Sequence, residues 1–455
     1  MTNATERLGA FVARSVGARL APKVAERAAA VLLDVIALTL MARDERTFKA
    51  TRAAVTPVAP SPGTARIWAD GTCAVLSEAV TANAVGAHAH FHDDSDHPSW
   101  SHPGSLIVPL AVSLGEATGA PLEHTLRSIA AGYATLEWMG ADEKVARSLI
   151  ARGIRTTPTL GTIGAAATAA VGLRLDRTQA VNAIAMSACI TGGILEPVRS
   201  GSDEWRVHAA QAARGGLLVA QLARGGVVGA PDALEGPKGF LRALAGLEET
   251  PARWSRDPDP EAILRAIAKP WAALGDNCPA VAAAELVRRG IDPAQIALVT
   301  VRIWRPYSEY PGTAFAGPFT RTVQALASTT FCVAAMLTYG ELEYDIPDQH
   351  REDEEILRLV RVSTIEPDDE GTHMDASVEV QLTDGSRRRC AAKDAAQTIF
   401  FHDRATATDL FERRLGLCGY AQGHGKAIAS AVFEAAEGKT ALATHALIDQ
   451  IGVPR

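Results

Sequence analysis

The stretch from 161 to 170, GTIGAAATAA, consists of glycine, alanine and threonine with a single larger residue, Ile163. Side chains this small let neighbouring helices approach the backbone closely, so Leu160 to Leu173 is read as the central helix of a helical assembly. Its glycine and alanine content is assigned to tight packing, not to a ligand. Apolar residues recur at helical spacing on both sides of it: Ala28 to Leu40, Leu76 to Ala89, Leu106 to Ala117, Leu122 to Trp138, Arg177 to Ile190 and Glu204 to Ala223.

After Lys269-Pro270 the texture changes. Ile296 to Trp304 alternates β-branched and polar residues as a strand does, and a helix is expected near Thr320 to Leu337. Strands are expected again over Leu357 to Thr364 and Ser377 to Leu382, the second closing on an Asp384-Gly385 turn. Helical texture returns from Thr406 to Ile451, and this last segment is expected to pack back on the first. The fold class is therefore mainly α, a large all-helical domain with a smaller α+β module.

Composition narrows the function. The 455 residues carry a net charge of −7, and the basic residues are spread along the chain, mostly singly, so nucleic acid is not an expected partner. The charged N-terminal segment lacks an apolar core with a cleavage site, and runs such as Ala28 to Ala42 are too short to span a bilayer. No membrane association is expected, and a cytoplasmic location is. Cys73, Cys189, Cys278, Cys332, Cys390 and Cys418 form no Cys-x-x-Cys pair, which speaks against a disulfide framework, a structural zinc site or an iron-sulfur cluster. No glycine-rich nucleotide signature follows a strand, so no cofactor is assigned.

The chemistry is expected in the stretch from His88 to His102, HAHFHDDSDHPSWSH, which holds five of the chain's 12 histidines and three aspartates. Such a run, broken by Pro98 and by Pro103-Gly104, reads as a loop that moves protons near neutral pH. Ser105, Thr157 and Ser202 are expected as N-caps, with Pro158 at a first helical position, and each helix start would favour an anion. Beside these termini lie His102, Arg155 and Arg206, and a guanidinium fork suits a carboxylate. A pocket walled this way would hold a dicarboxylate or tricarboxylate. Fixed cations would stabilise charge developing beside the carboxylate while His102 or Asp93 takes the proton. Each residue also has a structural reading: His102 capping its loop, Asp93, Asp94 and Ser95 bonding backbone amides, Arg155 and Arg206 in ordinary ion pairs, His88 closing a helix, and Tyr307 and Tyr310 as packing.

The order and spacing of five stretches carry a resemblance. His88 to Ala117, GYATLEW, RTTPTLGTIGAAATAAVGLRLDRTQAVNAIAMSA, RVHAAQAARGGLLVAQLARGG and LEGPKGFLRALAG together resemble the MmgE/PrpD family over nearly the whole chain. That family includes 2-methylcitrate dehydratase, cis-aconitate decarboxylase and iminodisuccinate epimerase. The resemblance implies a helical domain formed by residues 1–268 with 403–455, an α+β lid over 269–402, a homodimer, and metal-free chemistry on small polycarboxylates. Residue by residue, Asp93, Asp94 and Ser95 match part of the family's Asp-Phe-Asp-Asp-Thr, and His102 matches the histidine that ends its loop. Lys269 matches a basic residue at the lid entry. The sequence departs elsewhere: Arg155 stands where the family often has histidine, Trp205 where a lysine is expected, and a further histidine falls near Leu274.

The expectation is thus a cofactor-independent lyase or isomerase acting on a small di- or tricarboxylate. His102 serves as acid or base with Asp93 and Ser95, and Arg155, Arg206 and Lys269 hold carboxylates. Two alternatives stand beside it: a metal-dependent hydrolase using the His/Asp cluster, and a carboxylate-binding protein without catalysis.

Overall fold

A computed structural model describes residues 3–394 and 403–453, and in it helices take 58 % of the chain against 9 % for strands, which makes the fold mainly α. The small-residue stretch lies in the helix Thr156–Gly172, buried along almost its whole length. Around it pack Leu122–Gly140, Trp205–Arg224, Gly104–Thr118 and Arg177–Ile190. The close approach rests on particular glycines. Gly161 receives the Leu106 side chain, Gly164 receives Leu136, and Gly216 of the neighbouring helix lies against the Ala165 backbone.

A second layer joins the two ends of the chain. Pro22–Met41 packs against Arg404–Leu417 and His424–Ala436, and inside this contact the buried Arg414 pairs with Asp34. One apolar core accordingly runs from Ala4 to Ala266 and resumes from Ala407 to Ile451. A second runs from Ile267 to Ala392. A smaller cluster joins Phe91, Val198 and Trp205 to Ala272, Leu274, Val323, Leu326 and Ala327, next to the histidine-rich stretch.

The second core is built on a four-stranded sheet in the order Ser363–Asp368, Ile296–Trp304, Ala376–Leu382, Arg387–Ala391, the first pair parallel and the others antiparallel. Val299, Val301 and Ile303 point inward by the two-residue alternation of the strand. The hairpin turn expected at Asp384-Gly385 is present, with Gly385 at φ 86°. Cys278–Val287 packs on the strands of this hairpin, and Thr329–Tyr339 packs on Glu354–Arg361.

Three local expectations differ from the structure. Leu357 to Thr364 was expected as one strand, yet Glu354–Arg361 is a helix and the strand begins at Ser363. Ile356, Leu359 and Val360 form a helical stripe, and Asp353 caps it by accepting from the amides of Glu355 and Ile356. The expected helix near Thr320 to Leu337 is two, Thr322–Ala327 and Thr329–Tyr339, because Ser328 between them caps the second. The three N-caps also fall elsewhere. The helices begin at Gly104, Thr156 and Trp205, so Ser105 and Thr157 lie within the first turn and Ser202 lies outside it. Ser105 instead donates to the His102 carbonyl, and Pro158 is the third helical residue. Among the described residues no helix is long and apolar enough to cross a membrane.

The packing of Gly216 yields a test. A β-carbon there would collide with Ala165 and the Ala166 amide, both on the central helix. Gly216→Ala is expected to lower unfolding stability by about 1–3 kcal/mol, the usual cost of overpacking, read as a shift in the urea midpoint.

Candidate active site

The stretch from His88 to His102 leaves the helix Leu76–His88 and enters Gly104–Thr118, and it lies between the two cores. Two non-glycine residues, Phe91 at φ 55° and Trp100 at φ 49°, adopt left-handed backbone to make the bends, a conformation that costs on the order of 1–3 kcal/mol each. Packing and hydrogen bonds hold it there. Phe91 is buried against Trp205 and His102. The backbones of Ser95 and Ile267 exchange two hydrogen bonds, 2.9 and 2.8 Å, that tie the loop to the start of the second core. Glu143, in a left-handed turn at Ala141 to Glu143, accepts from His97 Nε2 at 3.0 Å and from Trp100 Nε1 at 3.1 Å.

Asp94 organises the start of the following helix. Its Oδ1 accepts from the Gly104 amide at 2.7 Å and its Oδ2 accepts from the Tyr133 hydroxyl. Glycine is needed at 104 because a β-carbon would press on Asp94 Oδ1 and Val35. Burial pushes the Asp94 carboxyl up to about 7, although Tyr133 and the Gly104 amide pull the other way. Asp96, which accepts from the Ser99 amide and hydroxyl, is pushed up by burial to about 6.

His102 has a fixed tautomer. Its Nδ1 lies 2.9 Å from the Asp94 backbone carbonyl, an oxygen that can only accept, so Nδ1 carries the proton and Nε2 keeps the lone pair. Ser95 Oγ lies 3.2 Å from the same Nδ1. Burial, followed by the charge of Lys269, holds the imidazole well below its ordinary range, against the attraction of Asp93. At neutral pH His102 is an uncharged base.

Behind His102 runs a second chain of groups. His88 Nδ1 is 3.0 Å from both oxygens of Asp93, and Arg155 Nη2 donates to His88 Nε2 at 2.7 Å. Burial lowers His88 to about 4, so it is neutral and passes its Nδ1 proton only as a hydrogen bond. Burial opposes ionisation of Asp93, but His88, Lys269 and His102 outweigh it and hold the carboxyl well below its ordinary range. Sequence reasoning made His88 a helix-end residue; its place between Asp93 and Arg155, with its ring 5.3 Å from that of His102, is visible only in three dimensions.

The remaining histidines diverge. His90 stacks on Tyr344 at 3.9 Å, and Arg414 donates to His92 Nε2 at 3.1 Å. His97 stacks on His373 at 3.8 Å and meets the Tyr307 hydroxyl at 3.2 Å. Among the described residues no group of three or more His, Cys, Asp or Glu is placed to hold a metal ion.

A cavity of about 30 Å³, room for water and for a larger ligand only once the seam widens, lies between the two cores, lined by Ser95, His102, Trp100, Asp276, Tyr307 and Tyr310 among others. It brings together two of the three expected catalytic residues, His102 and Ser95. Asp93 is not in its wall, nor are the three expected carboxylate-holding cations. Arg155 donates to the Trp205 carbonyl and to His88, and Lys269 to the carbonyls of Phe91 and Ala273. Arg206 donates to the Ala89 carbonyl and the Tyr344 hydroxyl and pairs with Glu45 and Asp203. These groups gather beside the loop because its carbonyls at Ala89 and Phe91, and those of Trp205 and Ala273 packed near it, need donors once buried. Asp276 was not singled out from sequence, since a lone Asp in Leu274-Gly275-Asp276-Asn277 resembles any turn.

A family model described as MmgE/PrpD N-terminal domain matches residues 6–252, more than half of the chain. No curated protein matches it.

The buried histidines make a pH test. His90 is pushed down to about 3 by burial and its Nδ1 has no hydrogen-bond partner among the described residues. A histidine whose folded pKa is lowered contributes stability above its unfolded value near 6.5, and this is lost as pH falls toward the folded pKa. Wild-type stability is therefore expected to fall steeply between about pH 6.5 and 4. His90→Phe keeps the stack on Tyr344 and removes an unsatisfied buried nitrogen, a cost of roughly 1–3 kcal/mol. The variant should be at least as stable at pH 7 and show a shallower acid slope, checked by denaturant unfolding across pH.

Proposed function

The chain belongs to the MmgE/PrpD family, and from that premise we propose that it is a cofactor-independent lyase or isomerase that moves a proton on a small di- or tricarboxylate in the seam cavity. The observation that carries this reading is the neutral His102, its Nδ1–H fixed on the Asp94 carbonyl and its Nε2 left as the base beside the seam cavity that His102 lines. Nε2 takes a proton from the carbon beside a substrate carboxylate, and the C–H electron pair moves into that carboxylate as an enolate. Dehydration, decarboxylation and epimerisation handle charge at such a carbon in closely related ways, so one geometry serves the dehydratase-type chemistry that the family suggests.

Each neighbour has a role in this proposal. Ser95, within reach of His102 Nδ1, steadies the ring and offers a hydroxyl to the substrate. Asp93, ionised and bound to His88, balances the imidazolium that forms on His102. Lys269 and Arg155 supply positive charge behind the base, which favours an anionic substrate and keeps His102 unprotonated at rest. Arg206, matched by Glu45 and Asp203, joins them in holding carboxylates only if that pairing gives way. Residues 269–402 serve as a lid on a body of 1–268 with 403–455, and the assembly is a homodimer.

The test is incubation with a panel of di- and tricarboxylates in deuterated water followed by NMR, which reports exchange, elimination, carbon dioxide loss and inversion together. At least one acid is expected to exchange or react. His102→Ala should slow that change by at least about 10²-fold with the fold retained by circular dichroism. Unchanged turnover in the variant removes His102 from the mechanism, and carboxylate binding with no reaction of any acid points to the non-catalytic alternative.

A further inference from the structure

Three cations stand near the loop, yet none lines the cavity, so an acid bound there needs other donors. The wall supplies neutral ones, and Asp276 differs from the rest. It lines the cavity, but its Oδ2 is buried with no hydrogen-bond partner among the described residues. Lys269, the cation closest to it in sequence, directs its ammonium to the carbonyls of Phe91 and Ala273. A carboxylate left in this state would lack partners for its charge, whereas a protonated acid lacks only an acceptor.

We propose that Asp276 carries a proton in the resting protein and donates it, as a hydrogen bond from its buried oxygen, to a carboxylate of the ligand in the cavity it shares with His102. This rests on the reading of the ligand as a small polycarboxylate.

The segment that presents Asp276 is fixed on both sides. The Leu274 amide donates to the Leu326 carbonyl at 2.9 Å, and Asn277 bonds the Ala327 carbonyl and the Thr329 hydroxyl at 2.9 and 2.8 Å. Gly275 lies so close to the loop that a β-carbon would come within 2.5 Å of Ser95 Oγ. Ser95 therefore touches both the His102 ring and the backbone that carries Asp276.

The groups facing Asp276 agree on its protonation. Burial pushes its carboxyl up to about 8, against the pull of Lys269. Cys278 on the same segment is pushed up by burial to about 12, and the hydroxyls of Tyr307 and Tyr310, which line the same cavity, are raised by burial well above their ordinary value. His102 is uncharged, and Asp96 with His97 completes the titratable lining from the loop side. When His102 Nε2 withdraws the proton beside a carboxylate, charge grows on that carboxylate's oxygens. A neutral acid already pointed at them strengthens its hydrogen bond in step, with no second proton leaving the site.

The experiment uses the full chain as wild type, Asp276→Asn and Asp276→Ala. Infrared difference spectra between wild type and Asp276→Asn at pH 7 are expected to show one protonated carboxylic acid lost, fading in wild type as pH rises through about 8. Citrate serves as the binding probe, by calorimetry. Wild-type affinity should hold below pH 8 and then fall toward about tenfold per pH unit as Asp276 ionises. Asp276→Asn, which keeps an N–H donor, should bind citrate at pH 7 within a few-fold and lose the alkaline fall, and Asp276→Ala should bind at least about tenfold more weakly.

Absence of the acid band, or citrate binding by Asp276→Ala that matches wild type at every pH, overturns the proposal. If the band is absent while a panel acid still exchanges deuterium, this inference fails and the polycarboxylate reading stands. If the band is present but neither citrate nor any panel acid is bound or altered, the polycarboxylate reading fails and takes the ligand assigned to Asp276 with it.

Discussion

The constraint on which the rest depends is desolvation of the loop His88 to His102 between two hydrophobic cores. Water around an ionisable group favours its charged form, and burial withdraws that support from most of the ionisable groups in the segment at once. Each must then be neutral or be given a charged partner. The histidines take the first course: His88, His90, His92 and His102 are all held below their ordinary range, with burial the largest cause. Asp93 takes the second, through the hydrogen bond from His88 and the charge of Lys269. Asp94 and Asp96, bonded by hydroxyls and amides but not by cations, move upward.

This division decides what the site can do. A dense set of histidines and aspartates suggests a highly charged loop, but packed this way it contains an uncharged base with a fixed tautomer and carboxyl groups poised near neutrality. The same force shapes the cations. Arg155 and Lys269 reach the loop because buried carbonyls at Trp205, Phe91 and Ala273 need donors, so their charge acts through the wall instead of across an open contact. A buried cation held by carbonyls still sets a field, and at low effective dielectric that field reaches neighbouring groups.

Much of the fold was legible in the sequence. The glycines and alanines of 161–170 announced a central helix because only small residues tolerate such close neighbours, and the helix Arg177–Ile190 falls where its apolar spacing put it. The strand expected at Leu357 failed because a short apolar run fits both periods, and the Asp353 cap settles it as a helix. The loop itself stood out by composition, and within it the family resemblance picked out His102 and Ser95, which both line the cavity. Partnership did not. Whether an arginine faces a ligand or a carbonyl depends on which backbone is buried beside it, and Asp276 gains its character from burial, against the pull of Lys269, which its own stretch of chain does not foretell.

The pairing of Arg414 with Asp34 and His92 joins residues 380 and 322 positions apart in the chain. During synthesis the N-terminal portion, including every residue of the loop, emerges long before Arg414 does. Until that guanidinium arrives, it is not there to pair with Asp34 or to donate to His92 Nε2, so the histidine loop is completed only after residue 414 has been made. A nascent or truncated chain ending before the final helices would carry all the residues of the loop without the electrostatic keystone that seats them.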